Sequence, residues 1–203
     1  MKKSIAVTFL ILMVSGLTFA QGISGGLRLG MNLANAPIKS GSVTITPDVK
    51  AGLLAGGYLS LMFSDNLGIQ PEVQFSMQGA NLDLAALGAG TGTLSEKLTY
   101  VNVPVFIKYN IIKILNVHAG PQFGMLVSAK SVANGTTTDI KNNFKSSDIS
   151  AVFGAGLNLP FGISGGLRYS LGLTNIDGTN TSGLTIKNKT FQIYVGYRLF
   201  GKK

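Results

Sequence analysis

Cysteine and tryptophan are absent from these 203 residues, histidine occurs once, and only 12% of positions carry charge. Without cysteine there is no disulfide framework, no thiol nucleophile and no acceptor for a lipoprotein anchor. A single histidine, His118, and scattered acids at Asp83, Asp139 and Asp177 supply neither a metal-ligand cluster nor a paired acid and base. The expectation is a protein with no metal, no cofactor and no catalytic role. Beyond the N-terminus no apolar run reaches the roughly 18 residues of a spanning helix, which excludes a helical membrane protein. The scarcity of charge is itself informative. A soluble domain carries about a quarter of its residues as Asp, Glu, Lys or Arg, so something other than water is expected to cover much of this surface.

The N-terminus shows a route to such a place. Lys2 and Lys3 precede an apolar run from Ile5 to Val14, and Thr18-Phe19-Ala20 then offers small residues at the positions a signal peptidase reads. This predicts a cleavable signal peptide over residues 1–20 and one mature domain over 21–203. Removal of the two lysines lowers the formal charge from +9 to +7. The remaining basic residues are scattered rather than interleaved with aromatics on one face, so nucleic acid is not an expected partner.

What is present is a period of two. Ile23, Leu27, Leu29, Met31 and Leu33 alternate with Ser24, Gly26, Arg28, Gly30 and Asn32; Ile69, Val73, Phe75 and Met77 alternate with Gln70, Glu72, Gln74, Ser76 and Gln78. The same odd-apolar, even-polar alternation recurs in Val101–Asn110, Leu115–Ser128, Asp148–Leu159, Ile163–Gly172 and Phe191–Leu199. It is blurred only in Val49–Phe63, where Leu54 and Met62 fall on the polar side. Period two means a strand with two unlike faces. Eight such strands with no helix to cover them must close on themselves, and most are long enough to cross the hydrocarbon at a ~45° tilt, which takes about 9–11 residues.

The connections fix the topology. Ser64–Asn66, Ile111–Ile114 and Pro160–Gly162 are tight turns; Asn35–Asp48, Ala80–Ser95, Lys130–Ser146 and Thr174–Lys189 are long and rich in small polar residues. Short and long links in strict alternation predict an all-β, eight-stranded antiparallel up-and-down transmembrane barrel, with turns and termini in the periplasm and long loops outside. Outward Phe63, Tyr109, Tyr197 and Phe191 mark a thin aromatic girdle. Closure is demanded by the bilayer, where each unpaired backbone group costs several kcal/mol. A soluble lipocalin-like barrel would reverse the two faces.

Tyr100-Val101-Asn102-Val103-Pro104-Val105-Phe106-Ile107-Lys108-Tyr109 and Arg168-Tyr169-Ser170-Leu171-Gly172-Leu173-Thr174-Asn175-Ile176 resemble characteristic strands of the PorT-like outer-membrane barrel family. Gly26–Asn32 and Phe191–Phe200 fit the same pattern. The resemblance implies a porin-family barrel in the cell outer membrane, with participation in envelope assembly or secretion. Two positions depart from it. Asn102 stands where the family has glutamate, and Gly201-Lys202-Lys203 extends past the aromatic end.

Even positions place Arg28, Lys50, Lys108, Arg168 and Arg198 in the lumen against Glu72 and Asp148. Eight strands leave an interior just wide enough for side chains, and buried charges need partners, so these seven residues are the candidate site, a charge network filling the lumen. A verbatim repeat sharpens this: Ile23–Arg28 and Ile163–Arg168 read the same six residues, and both flank the last strand in a closed barrel. Arg28 and Arg168 should then cluster beside strand eight, facing Glu72. The expected partners are outer-membrane lipid and lipopolysaccharide, the barrel-insertion machinery and an envelope protein of unknown identity. The functional reading is a structural or binding component of the envelope; a narrow anion-preferring porin and an adhesin using the long loops are the alternatives.

Overall fold

The computed structural model describes residues 22–84, 92–133, 135–179, 181 and 183–201. The expected signal peptide, Lys202, Lys203 and part of the second long loop lie outside these described residues. In chain order the strands are β1 (Gly22–Asn35), β2 (Ile38–Ser40), β3 (Val43–Ile45), β4 (Asp48–Met62), β5 (Leu67–Asp83), β6 (Thr93–Asn110), β7 (Leu115–Ala133), β8 (Thr136–Asp139), β9 (Ser147–Asn158), β10 (Ile163–Gly172), β11 (Leu184–Ile186) and β12 (Lys189–Phe200).

Eight of them form a closed ring. Each of β1, β4, β5, β6, β7, β9, β10 and β12 pairs antiparallel with the next, and β12 returns to β1 with Leu29 opposite Val195 and Leu33 opposite Phe191. The expected up-and-down barrel is what the chain builds. Its wall is inside out relative to a soluble protein: Leu29 and Val73 are 62% and 57% exposed, whereas Asn32, Gln74 and Ser76 are buried. Alternation along a pleated strand sends the odd row outward and the even row into the lumen.

The pairing slips at two places towards the loop end. Between β4 and β5 the register shifts between Val49 and Leu54, across the interval containing Gly79, whose φ of 136° suits only glycine. Leu54 is buried there on the inner face. Between β6 and β7 the register shifts between Thr99 and Tyr100: Tyr100 faces Leu126 on the even, inward row, whereas beyond the shift the odd-numbered Ala129, opposite Leu98, points inward. Inward apolar side chains on both sides of this second shift form a small core. Leu98, Tyr100, Leu126, Ala129 and Ile176 pack together at the end of the barrel bearing the long connections, with Ile140, Phe144 and Ile186 against them.

The long connections are more regular than their composition suggests. The first contains the β2–β3 hairpin, which joins β11 in a separate three-stranded sheet, and the third contains β8 and a short helical turn at Lys141–Asn143. β5, β6 and β7 run for 17, 18 and 19 residues, well beyond what the hydrocarbon needs. Their paired backbone continues past the bilayer because the extensions still satisfy one another's hydrogen bonds.

Candidate functional site in the barrel lumen

β5 serves as a ruler along the lumen, with Gln70, Glu72, Gln74, Ser76 and Gln78 pointing inward in succession from the turn end towards the loop end. Glu72 is the centre. Its Oε1 accepts from Arg28 Nη1, from Arg168 Nη2 at 2.8 Å and from Gln70 Nε2 at 2.6 Å. Its Oε2 accepts from Arg168 Nη1 at 2.8 Å and from Gln74 Nε2. Arg168 therefore grips the carboxylate with two parallel bonds, the strongest geometry available to a guanidinium, while Arg28 approaches from the other side. Lys108 joins through Gln70, whose Oε1 accepts from Lys108 Nζ at 3.2 Å.

The arginines are held flat by rings. Tyr194 on β12 lies between them, 4.3 Å from the Arg28 guanidinium carbon and 4.5 Å from that of Arg168; Tyr58 covers Arg28 at 4.7 Å and Phe106 covers Arg168 at 4.4 Å. Away from water such stacking contributes about 2 kcal/mol per contact. His118 Nε2 accepts from Arg168 Nε at 2.9 Å, and its Nδ1 lies 3.2 Å from Asn116 Oδ1. The ring is thus a neutral spacer in the network.

Space for this stack comes from glycines in the wall. A Cβ at Gly154 would stand 2.8 Å from Arg168 Cγ and 3.0 Å from His118 Nε2; at Gly166 it would lie 2.5 Å from the Tyr194 hydroxyl, and at Gly196 3.2 Å from Arg28 Cγ. Inward glycines, easily read as aids to curvature, are what lets long side chains lie across the lumen. They and the inward aromatics are the part of the site that charge counting misses; aromatics at even positions are the signal that finds them.

The other expected members lie elsewhere. Lys50 bonds Ser95 Oγ and, at 3.5 Å, Asn81 Oδ1 near the loop end. Asp148 is buried but makes no ion pair among the described residues: it accepts from Thr174 Oγ1 at 2.6 Å and from Asn188 Nδ2 at 2.9 Å. Arg198 faces a cavity at the turn end. The seven residues thus form one central cluster, Arg28, Glu72, Arg168 and Lys108, and three separate positions. Arg28 and Arg168 flank β12 as their repeat implies, but they pair with Gly196 and Gln192, two inward positions apart across Tyr194. Asn102 is buried with its Nδ2 unpaired, so Glu72 is left as the carboxylate for the whole cluster.

Below the cluster a cavity of about 1010 Å³ opens towards the tight turns, lined by Ser24, Tyr58, Lys108, Lys113, Ser164 and Arg198 among others. Above it Asn32, Ser76, Gln78 and Thr190 are linked by neutral hydrogen bonds, Asn32 Nδ2 to Ser76 Oγ at 2.9 Å and Thr190 Oγ1 to Gln78 Oε1 at 3.1 Å. The lumen therefore passes from a basic vestibule through an Arg–Glu–Arg closure and an amide layer to the apolar core at the loops.

The sequence profile of the outer membrane protein beta-barrel domain matches residues 19–178. The chain belongs to that family. No curated protein matches it in sequence. Among solved structures it is similar to Ail, the attachment invasion locus protein of Yersinia pestis, at 14% identity over 87% of this chain and 98% of that one, with a TM-score of 0.51. Neisserial surface protein A is similar at 10% identity, covering 84% and 96%, with a TM-score of 0.50. At these identities the likeness is one of fold. Membership in the family places the chain in the outer membrane, so the odd-numbered apolar rows face acyl chains and lipopolysaccharide covers the outer rim.

Proposed function

We propose that this outer-membrane barrel is a closed structural and ligand-binding component of the envelope, with no catalytic role and no continuous pore. The observation that carries this reading is the closure at Glu72. Two arginines, three rings and two glutamines meet one carboxylate across a lumen that eight strands leave barely wide enough for side chains. Opening a path would separate buried charges from their partners, which costs several kcal/mol. Chemistry lacks a site as well: among the described residues no three His, Asp or Glu come together as metal ligands, and His118 is engaged by Arg168 and Asn116.

The tight turns and both ends of the described chain lie at one end of the barrel, the long connections at the other. We read the former as periplasmic and the latter as external, the arrangement usual for such barrels. The PorT-like strand motifs extend the reading to envelope assembly or secretion, with insertion through the barrel-assembly machinery. Planar-bilayer recording of the refolded protein tests the closure: the expected result is no stable unitary current, and reproducible anion-favouring steps would replace this reading with a porin.

A second reading rests on the external sheet β11-β2-β3. Val43 is 63% exposed on β3, an edge strand of that sheet, a feature that suits contact with another surface, and the similar Ail is the attachment invasion locus protein of Yersinia pestis. Binding of cells displaying the barrel to host cells, lost on replacing Val43 and Ile45 with lysine, is the expected outcome if the sheet adheres.

A further inference from the structure

We infer that the basic vestibule beneath the closure is an oxyanion-binding site, held by Arg198 and Lys108, for a phosphate or carboxylate group presented from the turn end. The inference rests on the closed-lumen reading only for the blind end of the vestibule. Charge is the first ground. Lys108 lies among Arg28, Arg168 and Arg198, and Glu72 is the carboxylate at their centre. Glu72 is already saturated by both arginines and by Gln70 and Gln74. Counting Lys113 and Asp65 at the mouth, five cations thus face two carboxylates in this half of the lumen, and cations in a partly dry enclosure attract counter-charge far more strongly than on an open surface.

The shape of the site is the second ground. The cavity of about 1010 Å³ reaches Arg198 and Lys108 from the turn end, with Lys113 at the mouth and Asp65 as its acidic lining residue. The Arg198 side chain makes no hydrogen bond or ion pair with any described residue, and the Lys108 ammonium has among them only the amide oxygen of Gln70 at 3.2 Å. The Ser164 hydroxyl on the same wall is enclosed and lacks a hydrogen-bond partner. A guanidinium, an ammonium and a hydroxyl with spare donors around one cavity form the donor set that phosphate and carboxylate oxygens accept. Such a group is carried by a small periplasmic anion or by the headgroup of an anionic lipid in the inner leaflet; both present the same oxygens.

Refolded barrel in dodecyl maltoside, a phosphorus-free detergent, separates these sources. One arm titrates inorganic phosphate by calorimetry; the other titrates phosphatidylglycerol in mixed micelles, followed by ³¹P line broadening. Saturable binding in either arm is expected, weakened at least tenfold by Arg198→Gln and by Lys108→Gln separately, partly retained in Arg198→Lys and unchanged by Lys187→Gln in the outer loops. Binding in the first arm assigns a free oxyanion, and binding in the second alone assigns a lipid headgroup. Heat-modifiable migration in detergent gels confirms that each variant is folded. Absence of binding in both arms, or binding of equal strength in Arg198→Gln and Lys108→Gln, overturns the inference. Unitary currents with phosphate binding intact would remove the closed-lumen reading and leave the site standing.

Discussion

The two halves of the lumen solve the same problem in opposite ways. Towards the loops, polar groups are mainly neutral amides and hydroxyls bonded to one another, and an apolar core around Leu98, Leu126 and Ile176 shuts out water. Towards the turns, cations outnumber carboxylates and a wide vestibule admits solvent. The difference teaches where ionised groups are tolerable inside a barrel. Charge without an ion partner survives where water or an anion reaches it or where, as at Asp148, several hydrogen-bond donors surround it, and the Arg28–Glu72–Arg168 cluster stands at the boundary, where pairing must replace hydration.

The boundary should be the most sensitive place in the molecule. Glu72→Gln leaves two buried guanidinium groups facing each other, and unfolding by guanidinium chloride in lipid vesicles should show a loss of about 3–5 kcal/mol. Replacing Arg28, Glu72 and Arg168 together by Met, Leu and Met should cost less than the single change, because no charge is then left uncompensated. If the triple variant is the weaker, the cluster contributes through geometry rather than through charge balance.

The loop half should respond to volume instead. Leu98→Ala removes packing from the apolar core and should cost about 2–4 kcal/mol in the same assay, whereas a charge-removing change at exposed Lys187 should shift stability by less than about 0.5 kcal/mol. Returning to the boundary, Arg168→Lys keeps the charge but loses the two-bond grip on Glu72; a decrease of about 1.5–3 kcal/mol is expected from the lost charge-assisted bonds.

Much of this was legible in the residues. The alternation in β1 and β5 identifies the outward and inward rows one by one, and the repeat at Arg28 and Arg168 points to β12 and Glu72, because a period of two is a local property that closure only makes global. What is not legible depends on contacts across the barrel. The charges of Lys50 and Asp148 lie on inward rows, yet which height they reach depends on strand stagger, and that stagger puts them among loop-end hydroxyls and amides. The apolar core at the loops joins even-row Leu98, Tyr100 and Leu126 to Ala129, which the register shift at Thr99 turns inward, and to Ile176 from a long connection; no alternation count reveals those last two. Tyr194 was readable as inward but not as the plate between two arginines.

The smallest expected effect lies outside the membrane. The Thr179 hydroxyl and amide bond Asp177 and hold its carboxyl below the usual carboxylate range. That contribution to loop order is present at neutral pH and is lost only as the pH falls below about 4. Hydrogen exchange of residues 175–179 should therefore stay constant from pH 7 to pH 5, after correction for the intrinsic rate, and rise below that in the parent but not in Asp177→Asn, which lacks the charged acceptor at every pH.

The contrast between the two halves is tested most directly by the accessibility of single cysteines, since the natural chain has none to remove. Cysteine is placed at Ser24, which lines the vestibule, or at Ser76, which is buried above Glu72. Each folded barrel in vesicles is exposed to a negatively charged methanethiosulfonate on both sides of the membrane. Rapid labelling of Ser24→Cys is expected, with labelling of Ser76→Cys slower by at least a hundredfold and the difference abolished when Glu72→Gln is added. Labelling of both positions at similar rates in the otherwise unaltered barrel would show that water passes the Arg28–Glu72–Arg168 boundary and would contradict a closed lumen.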